Sequence, residues 1–474
     1  MFVLLMGLIA LILGFILYSK IVPSIFHPFR SATPATELSD GVDYVPMPTW
    51  KNYMIQLLNI AGTGPIFGAL MGAKWGPIVF LWIIFGTLLG GAVHDYMAGM
   101  MSVRENGLSI TSIITKHMGS WTRYPILALV VFLMIMVSAT FARSASDLLV
   151  SITGLPIWLW LALILFYFLL SALLPIDKVI GKLYPVFGIL LIVMAITVMG
   201  GLFFEGYAFP QFTLMNQHPA GTEYLPDMFI TVACGAISGF HATQSPMVSR
   251  CIRTEKEGYV VFYGAMVMES VIALVWAIAG LSFYGDTSAL SGALSDGGPS
   301  GVVYDIATTV AGPVGGVIAV VGVIVCPITS GDTALRAARL MIEDDRKMEQ
   351  DRRRVAFTIT SVMLIFVVLL CLLDFSVLWN YFSWLNQTLA TVVLWTATVF
   401  IIRVLKKKWY SLITVLPATF MTMIVTSFIL HSKLGPRLDY NISVMIGVLV
   451  AVLAFLMYLR LLLKSDESDV QNTL

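Results

Sequence analysis

Apolar runs of about 18 to 25 residues, each long enough to cross a hydrocarbon core, recur along the whole chain with short polar intervals between them. Thirteen spans are predicted, at 2–19, 54–72, 76–101, 124–149, 155–175, 183–204, 227–249, 259–284, 302–331, 355–373, 378–402, 409–431 and 441–463. Two of them are interrupted at their centres. Span 2 reads Gln56-Leu-Leu-Asn-Ile-Ala-Gly-Thr-Gly-Pro-Ile-Phe-Gly68, and span 7 reads Ala233-Cys-Gly-Ala-Ile-Ser-Gly-Phe-His-Ala-Thr-Gln-Ser-Pro246. Gly and Pro free backbone groups there that hydrocarbon cannot satisfy. Such breaks persist where the freed groups line a cavity, and there they can bind a solute. A pair of interrupted helices at corresponding places in two repeats is the sequence pointer to a secondary transporter's site.

Composition settles the broad class. The 474 residues are 58% hydrophobic and 12% charged, with a mean hydropathy of +0.89. This predicts an all-α polytopic membrane protein whose surroundings are a lipid bilayer. A net charge of +1 implies no nucleic-acid partner. Cys234, Cys251, Cys326 and Cys371 are scattered without a CxxC and read as packing residues. The run Phe2–Ser19 has no basic leader and no clear cleavage site, so it reads as a retained helix.

Charge then orients the spans, because cytoplasmic segments are rich in Lys and Arg. With the N-terminus outside and the C-terminus inside, 24 of the 28 Lys and Arg fall in cytoplasmic segments. The other four are Lys74, Arg143, Lys433 and Arg437. A twelve-span reading remains open if one broken segment is re-entrant.

Five spans separate the two breaks, and an odd number inverts the second unit. Spans 2–6 and 7–11 therefore read as a five-plus-five inverted repeat, each unit opening on its broken helix. The expected organisation is an N-terminal helix and cytoplasmic loop (1–53), repeat 1 (54–204), repeat 2 (205–402) and a C-terminal helix pair with tail (403–474). Arg143 and Asp147 in span 4, and Asp332 and Arg336 at the end of span 9, are i,i+4 pairs at related places in the two units.

The candidate chemistry gathers at the breaks. Asn59, Thr63, Ser238, Gln244 and Ser245 supply polar groups, with Phe240 beside them, and Gly62, Gly64 and Gly239 permit close backbone approach. Small and hydroxyl residues also serve as helix–helix glue, but two such clusters favour a substrate site. His241 lies mid-span, where an imidazole can carry a proton or meet a carboxylate. Glu269 in span 8 is an intramembrane carboxylate, and with His241 it is expected to couple protons. Thr329, Ser330 and Asp332 end span 9 and offer oxygen ligands to a hard cation such as sodium, or an interfacial Asp332–Arg336 pair. His94 and Asp95 in span 3 form a dyad suited to a gate, a relay or a structural role. Lys178 and Lys182 are expected to snorkel at the start of span 6. The basic stretch Arg336–Arg354 reads as a solvated cytoplasmic helix. No metal-ligand spacing, nucleophile elbow or phosphate loop is present, so no metal, cofactor or catalytic residue is expected. The co-transported ion would be a proton, or alternatively sodium.

Several segments together carry a resemblance. They are Asp40-Gly-Val-Asp-Tyr-Val-Pro46, Asn59-Ile-Ala-Gly-Thr-Gly-Pro65, Gly90-Gly-Ala-Val-His-Asp-Tyr-Met97, Ser102-Val-Arg-Glu-Asn-Gly-Leu-Ser-Ile110, Ser238-Gly-Phe-His-Ala-Thr-Gln-Ser-Pro246 and Pro327-Ile-Thr-Ser-Gly-Asp-Thr-Ala-Leu-Arg336. In these the chain resembles the carbon starvation protein A family of bacterial peptide and pyruvate transporters, in its short form. The resemblance implies membership of the amino acid–polyamine–cation superfamily. It also implies location in the bacterial cytoplasmic membrane and import of peptides, amino acids or pyruvate by a secondary active carrier. A sodium-coupled carrier is the alternative within transport. An intramembrane enzyme using His241 or the His94–Asp95 dyad as base, and a nutrient sensor, are the alternatives outside it.

Overall fold

The structure, a computed structural model, describes residues 2–30, 32–41, 44–173, 176–346 and 352–471. It is helical, with no strand among the described residues. Among the described residues, ten helices are long and apolar enough to cross a membrane, and an eleventh crossing results if Thr49–Ile60 and Gly64–Trp75, bent by 57°, count as one. The molecule is thus a multi-pass membrane protein.

In chain order, the N-terminal helix α1 (Phe2–Ile21) leads through a strap to α2 (Thr49–Ile60) and α3 (Gly64–Trp75), then α4 (Val79–Arg104). A short α5 (Ile110–Met118) precedes α6 (Arg123–Thr153), α7 (Ile157–Leu173) and α8 (Ile176–Phe204). After a long loop come two short helices, α9 (Asp227–Thr231) and α10 (Gly239–Ser249), then α11 (Glu255–Tyr284). The outer helices α12 (Thr287–Asp296) and α13 (Gly298–Val310) follow. Then come α14 (Gly312–Arg346), α15 (Arg352–Cys371), α16 (Phe375–Arg403), α17 (Leu412–His431) and α18 (Tyr440–Gln471).

The expected count of thirteen is not reproduced as thirteen full spans. Within α7, Ile157–Ser171 is a shorter apolar helix, and α9 with α10 falls short of a continuous crossing. The predicted span 302–331 is also corrected. Its apolar run is continuous, but Gly312 adopts φ +64°, a left-handed conformation suited to Gly, and Pro313 follows. The chain therefore ends α13 and starts the 35-residue α14. Thr329, Ser330 and Asp332 lie inside α14, not at the end of a span.

Packing explains which helices take the centre. Along α1 the buried positions Leu4, Gly7, Leu11 and Gly14 form one stripe, while Leu5, Ile9, Leu13 and Ile16 are exposed toward lipid. A Cβ on Gly7 would come within 2.7 Å of Leu274, and one on Gly14 within 2.4 Å of Leu88. Small residues thus let α1 close onto α11 and α4. The outward face of α18, with Met445, Leu449 and Leu456, is similarly exposed.

Most of the basic loops meet at one end. There the Thr33 hydroxyl donates to the Ile252 carbonyl at 2.7 Å, and the Met47 N–H donates to the Cys251 carbonyl at 3.0 Å. Tyr44 Oη donates to the Asn106 carbonyl, and Arg250 Nε to the Gly107 carbonyl. Arg104 pairs with buried Glu255 at 2.5 Å, and Arg123 pairs with Asp345 at 2.6 Å. At the other end, Trp75 Nε1 donates to the Thr222 carbonyl, and Thr287 Oγ1 to the Gln217 carbonyl. The segment Asp40–Pro46 is described save for Val42 and Asp43. The side chains of Lys178 and Lys182, and residues 347–351 of the basic stretch, lie outside the described residues.

Candidate functional site

Both predicted interruptions are real breaks, and they have the same local geometry. Helix α2 ends at Ala61 with φ −81° and ψ 67°, and α9 ends at Val232 with φ −83° and ψ 69°. That shared conformation turns each chain out of its helix. The chain re-enters a helix at Gly64 in the first case, through wide π-type turns over Gly64–Gly68, and at Gly239 in the second.

The breaks cross each other. A Cβ on Gly64 would lie 2.2 Å from Cys234 Cβ, and one on Gly235 would lie 2.7 Å from Ala273 Cβ and 3.6 Å from Pro65 Cα. A Cβ on Gly62 would meet the Phe141 ring at 2.4 Å, and one on Gly239 would meet the Asn386 carbonyl at 2.4 Å. The glycines at the breaks are therefore required by contact: Gly64 closes onto Cys234 in the second break, Gly62 onto Phe141, Gly239 onto the backbone of α16 and Gly235 onto α11.

Helix α16 satisfies the backbone that the second break exposes. Asn386 Oδ1 accepts the Phe240 N–H at 2.7 Å and the Ser238 hydroxyl at 3.1 Å, capping the start of α10. Gln387 Nε2 donates to the carbonyls of Phe229 at 3.3 Å and Ala233 at 3.2 Å, at the end of α9. Trp379 Nε1 donates to the Thr231 carbonyl, and Thr87 Oγ1 of α4 donates to the Gly235 carbonyl. At the first break, Ser330 Oγ of α14 donates to the Leu58 carbonyl at 3.2 Å. Asn386 and Gln387 went unrecognised in the sequence, where an Asn-Gln pair in a long apolar helix was the available signal.

Beside the crossing lies a chain of four ionisable side chains, all fully buried. His94 Nδ1 is 2.8 Å from Asp95 Oδ1. Asp95 Oδ2 is 2.9 Å from His241 Nδ1. His241 Nε2 is 3.4 Å from Glu269 Oε2. The chain runs from α4 through α10 to α11. Both Glu269 oxygens, His241 Nε2, Asn59 Oδ1, Thr63 Oγ1 and Gln244 Oε1 are buried without a hydrogen-bond partner, polar atoms around the breaks that a bound solute or water could satisfy. Glu269 stands one helical turn before Ala273, the residue that Gly235 touches.

The remaining candidates fall around this centre. Ser245 Oγ donates to the His241 carbonyl, and Gln56 Nε2 reaches Ser245 Oγ at 3.4 Å. Gln244 Nε2 donates to Thr243 Oγ1. A cavity of about 30 Å³ toward the basic end is lined by Asn52, Asn59, Met247 and Cys251, room for a single water. The span-9 group is not gathered at one point. Asp332 accepts from Ser171 Oγ at 2.6 Å, and Arg336 donates to the Ser171 carbonyl. Thr329 Oγ1 donates to carbonyls of its own helix. Ser330 of this group is bonded to a broken helix. A separate apolar groove of about 450 Å³ lies between α1, α4 and α17 and reaches Ile237. Its lining suits lipid tails, not a polar solute.

Comparison with known proteins agrees with this architecture. A manganese transporter from Eremococcus coleocola superposes with a TM-score of 0.56 at 14% identity, over 90% of this chain and 98% of that one. MhsT in complex with L-phenylalanine gives 0.56 at 15%, over 87% and 98%. These likenesses establish a shared fold. In sequence, an uncharacterized membrane protein of Haemophilus influenzae is 39% identical over 343 residues, which is 60% of this chain and 92% of that protein. The pyruvate/proton symporter BtsT of Escherichia coli is 27% identical over 52% of this chain and 44% of its own length. The peptide transporter CstA of Helicobacter pylori is 28% identical over 52% and 45%. The chain thus matches less than half the length of these two named transporters. The relatives with named activities are transporters, not enzymes. The family model for carbon starvation protein CstA matches residues 1–206, 149–296 and 297–428, and the chain belongs to that family.

Proposed function

We propose that the protein is a secondary active transporter that imports small carboxylate-bearing nutrients across the bacterial cytoplasmic membrane, driven by protons. Peptides are the leading substrates, with amino acids and pyruvate as narrower alternatives. The observation that carries this reading is the crossing of two broken helices beside the buried chain ending in Glu269. Repeats 54–204 and 205–402 would form the two inverted units, and the matching ends of α2 and α9 support that pairing. The N-terminus would then lie outside and the C-terminus inside.

The chemistry gives the coupling its direction. The buried chain holds two carboxylates and two imidazoles, so each proton it takes up makes its charge less negative by one. Loading a proton therefore favours an arriving carboxylate, and by linkage a bound carboxylate favours the proton. Residues around the breaks that would meet the solute are Asn59, Gly62, Thr63, Gly64, Ser238, Gly239, Phe240, Gln244 and Ser245. Rocking of one group of helices against the other would expose this place to each side in turn.

The test is uptake by purified protein in proteoliposomes, with labelled dialanine, alanine and pyruvate, under a pH gradient and a sodium gradient imposed separately. Accumulation driven by the pH gradient, and lost in His241→Ala and Glu269→Gln, is the expected result. Accumulation that requires sodium and survives both substitutions would overturn proton coupling and move attention to Ser330 and its neighbours on α14.

A further inference from the structure

The second long helix of each proposed repeat contains the same local device. In α4 a stretch of wide π-type turns, Trp82–Gly91, ends four residues before Asp95. In α11 a similar stretch, Tyr259–Gly264, ends five residues before Glu269. Such turns shift the phase of every following side chain and occur often at functional places. Here both deliver a carboxylate to the same imidazole, Asp95 at 2.9 Å from His241 Nδ1 and Glu269 at 3.4 Å from His241 Nε2.

We infer that Asp95 is the positioning residue of proton coupling: it holds the Nδ1 proton of His241, so that the Nε2 lone pair faces Glu269 and receives its proton. This rests on the transport reading above and adds residues that reading does not require. The Asp95 carboxylate can only accept, so the hydrogen on the Asp95–His241 axis sits on Nδ1. A neutral imidazole then carries no hydrogen on Nε2. In the transfer, the Glu269 O–H bond breaks and an Nε2–H bond forms. The imidazolium is held against ionised Asp95, and Glu269 is left as carboxylate. One proton moves and the chain's total charge is unchanged. His94 Nδ1 lies 2.8 Å from the other oxygen of Asp95 and helps to orient that carboxylate. The titratable groups facing the chain from neighbouring elements are Cys234 in the second break and Cys326 on α14. All four ionisable members sit on α4, α10 and α11, so they can travel together.

The decisive variant is Asp95→Asn, which keeps the shape and removes the charge. Its amide donates toward Nδ1, forces the ring hydrogen onto Nε2 and points a donor at Glu269. In proteoliposomes, pH-driven accumulation should fall at least about tenfold further than solute exchange does, and the pH profile of what remains should flatten. Accumulation and a pH profile equal to the parent's would overturn the inference while leaving the transporter reading intact. A parent that accumulates none of the three solutes would instead count against the transporter reading itself. A second readout needs no substrate and reads the parent protein's own ring. The chain has six histidines, so nitrogen spectra of ¹⁵N-histidine protein in lipid can be assigned by comparison with His241→Ala. At a pH where the ring is neutral, His241 should carry its proton on Nδ1. A proton on Nε2 would overturn the inference outright.

Discussion

At the scale of single residues, the site is built by what is missing from Gly64. Its absent side chain is what lets the first break reach Cys234. Gly64→Ala would drive a methyl into the Cys234 side chain at 2.2 Å, an overpacking of the kind that costs about 1 to 3 kcal/mol. Uptake should fall about tenfold, since 1.4 kcal/mol is a factor of ten, and Gly64→Ala combined with Cys234→Gly should recover part of it. Uptake in the double variant no better than in the single would argue that the crossing is incidental. Much of this scale was legible in the chain. The Gly-Thr-Gly-Pro and Ser-Gly-Phe-His runs marked both breaks, and His241 with Glu269 stood out as costly intramembrane groups. The link from His94 and Asp95 to His241 was not legible. It joins residues 146 positions apart, and periodicity reports only neighbours on the same helix.

At the scale of helices, the second break depends on α16. Asn386 holds one lip and Gln387 the other, so an adjacent pair of amides spans the gap between α9 and α10. Asn386→Leu would leave the buried Phe240 N–H and Ser238 hydroxyl without the partner that Asn386 supplies. The cost is about 1 to 3 kcal/mol for each group. The purified variant should melt at a lower temperature in detergent, and Gln387→Leu should do the same through the α9 carbonyls. Unchanged melting of both would mean that the break finds other partners. These caps eluded the sequence for a simple reason: a polar residue in an apolar helix shows that it needs a partner, but not which one. The division of the predicted span 302–331 eluded it differently, because the hydropathy of Gly298–Val310 and of α14 runs together and only the backbone at Gly312 separates them.

At the scale of the whole molecule, the segments carrying Thr33, Met47, Arg104 and Arg250 are tied to one another at one end. The opposite end has its own chemistry. His218 packs its ring 4.6 Å from that of Trp75, and burial with nearby Lys74 lowers its pKa from 6.5 to about 4. A histidine depressed in the fold binds fewer protons than its unfolded counterpart between those values. Its contribution to stability is therefore complete above about pH 6.5, and it is lost as the pH falls toward about 4. Protease protection of the loop at 205–226 should weaken across that window, and His218→Phe should remove the dependence. A loop equally protected at both ends of the window would contradict this.

The knitting of the basic end has a further consequence. Thr33, Met47, Tyr44 and Arg250 all tie that end to main-chain carbonyls, and the Arg104–Glu255 pair beneath them is sheltered from solvent. Carbonyl ties do not titrate, and sheltered charges respond weakly to dissolved salt. These ties therefore respond little to the composition of the fluid outside, and the exposed Arg123–Asp345 pair is a contact there that dissolved salt weakens. On the proposed cycle, the main signal to open comes from within, from the occupancy of the crossing and the proton on His241. A lock that answers only to its own key is what keeps a carrier from becoming a leak.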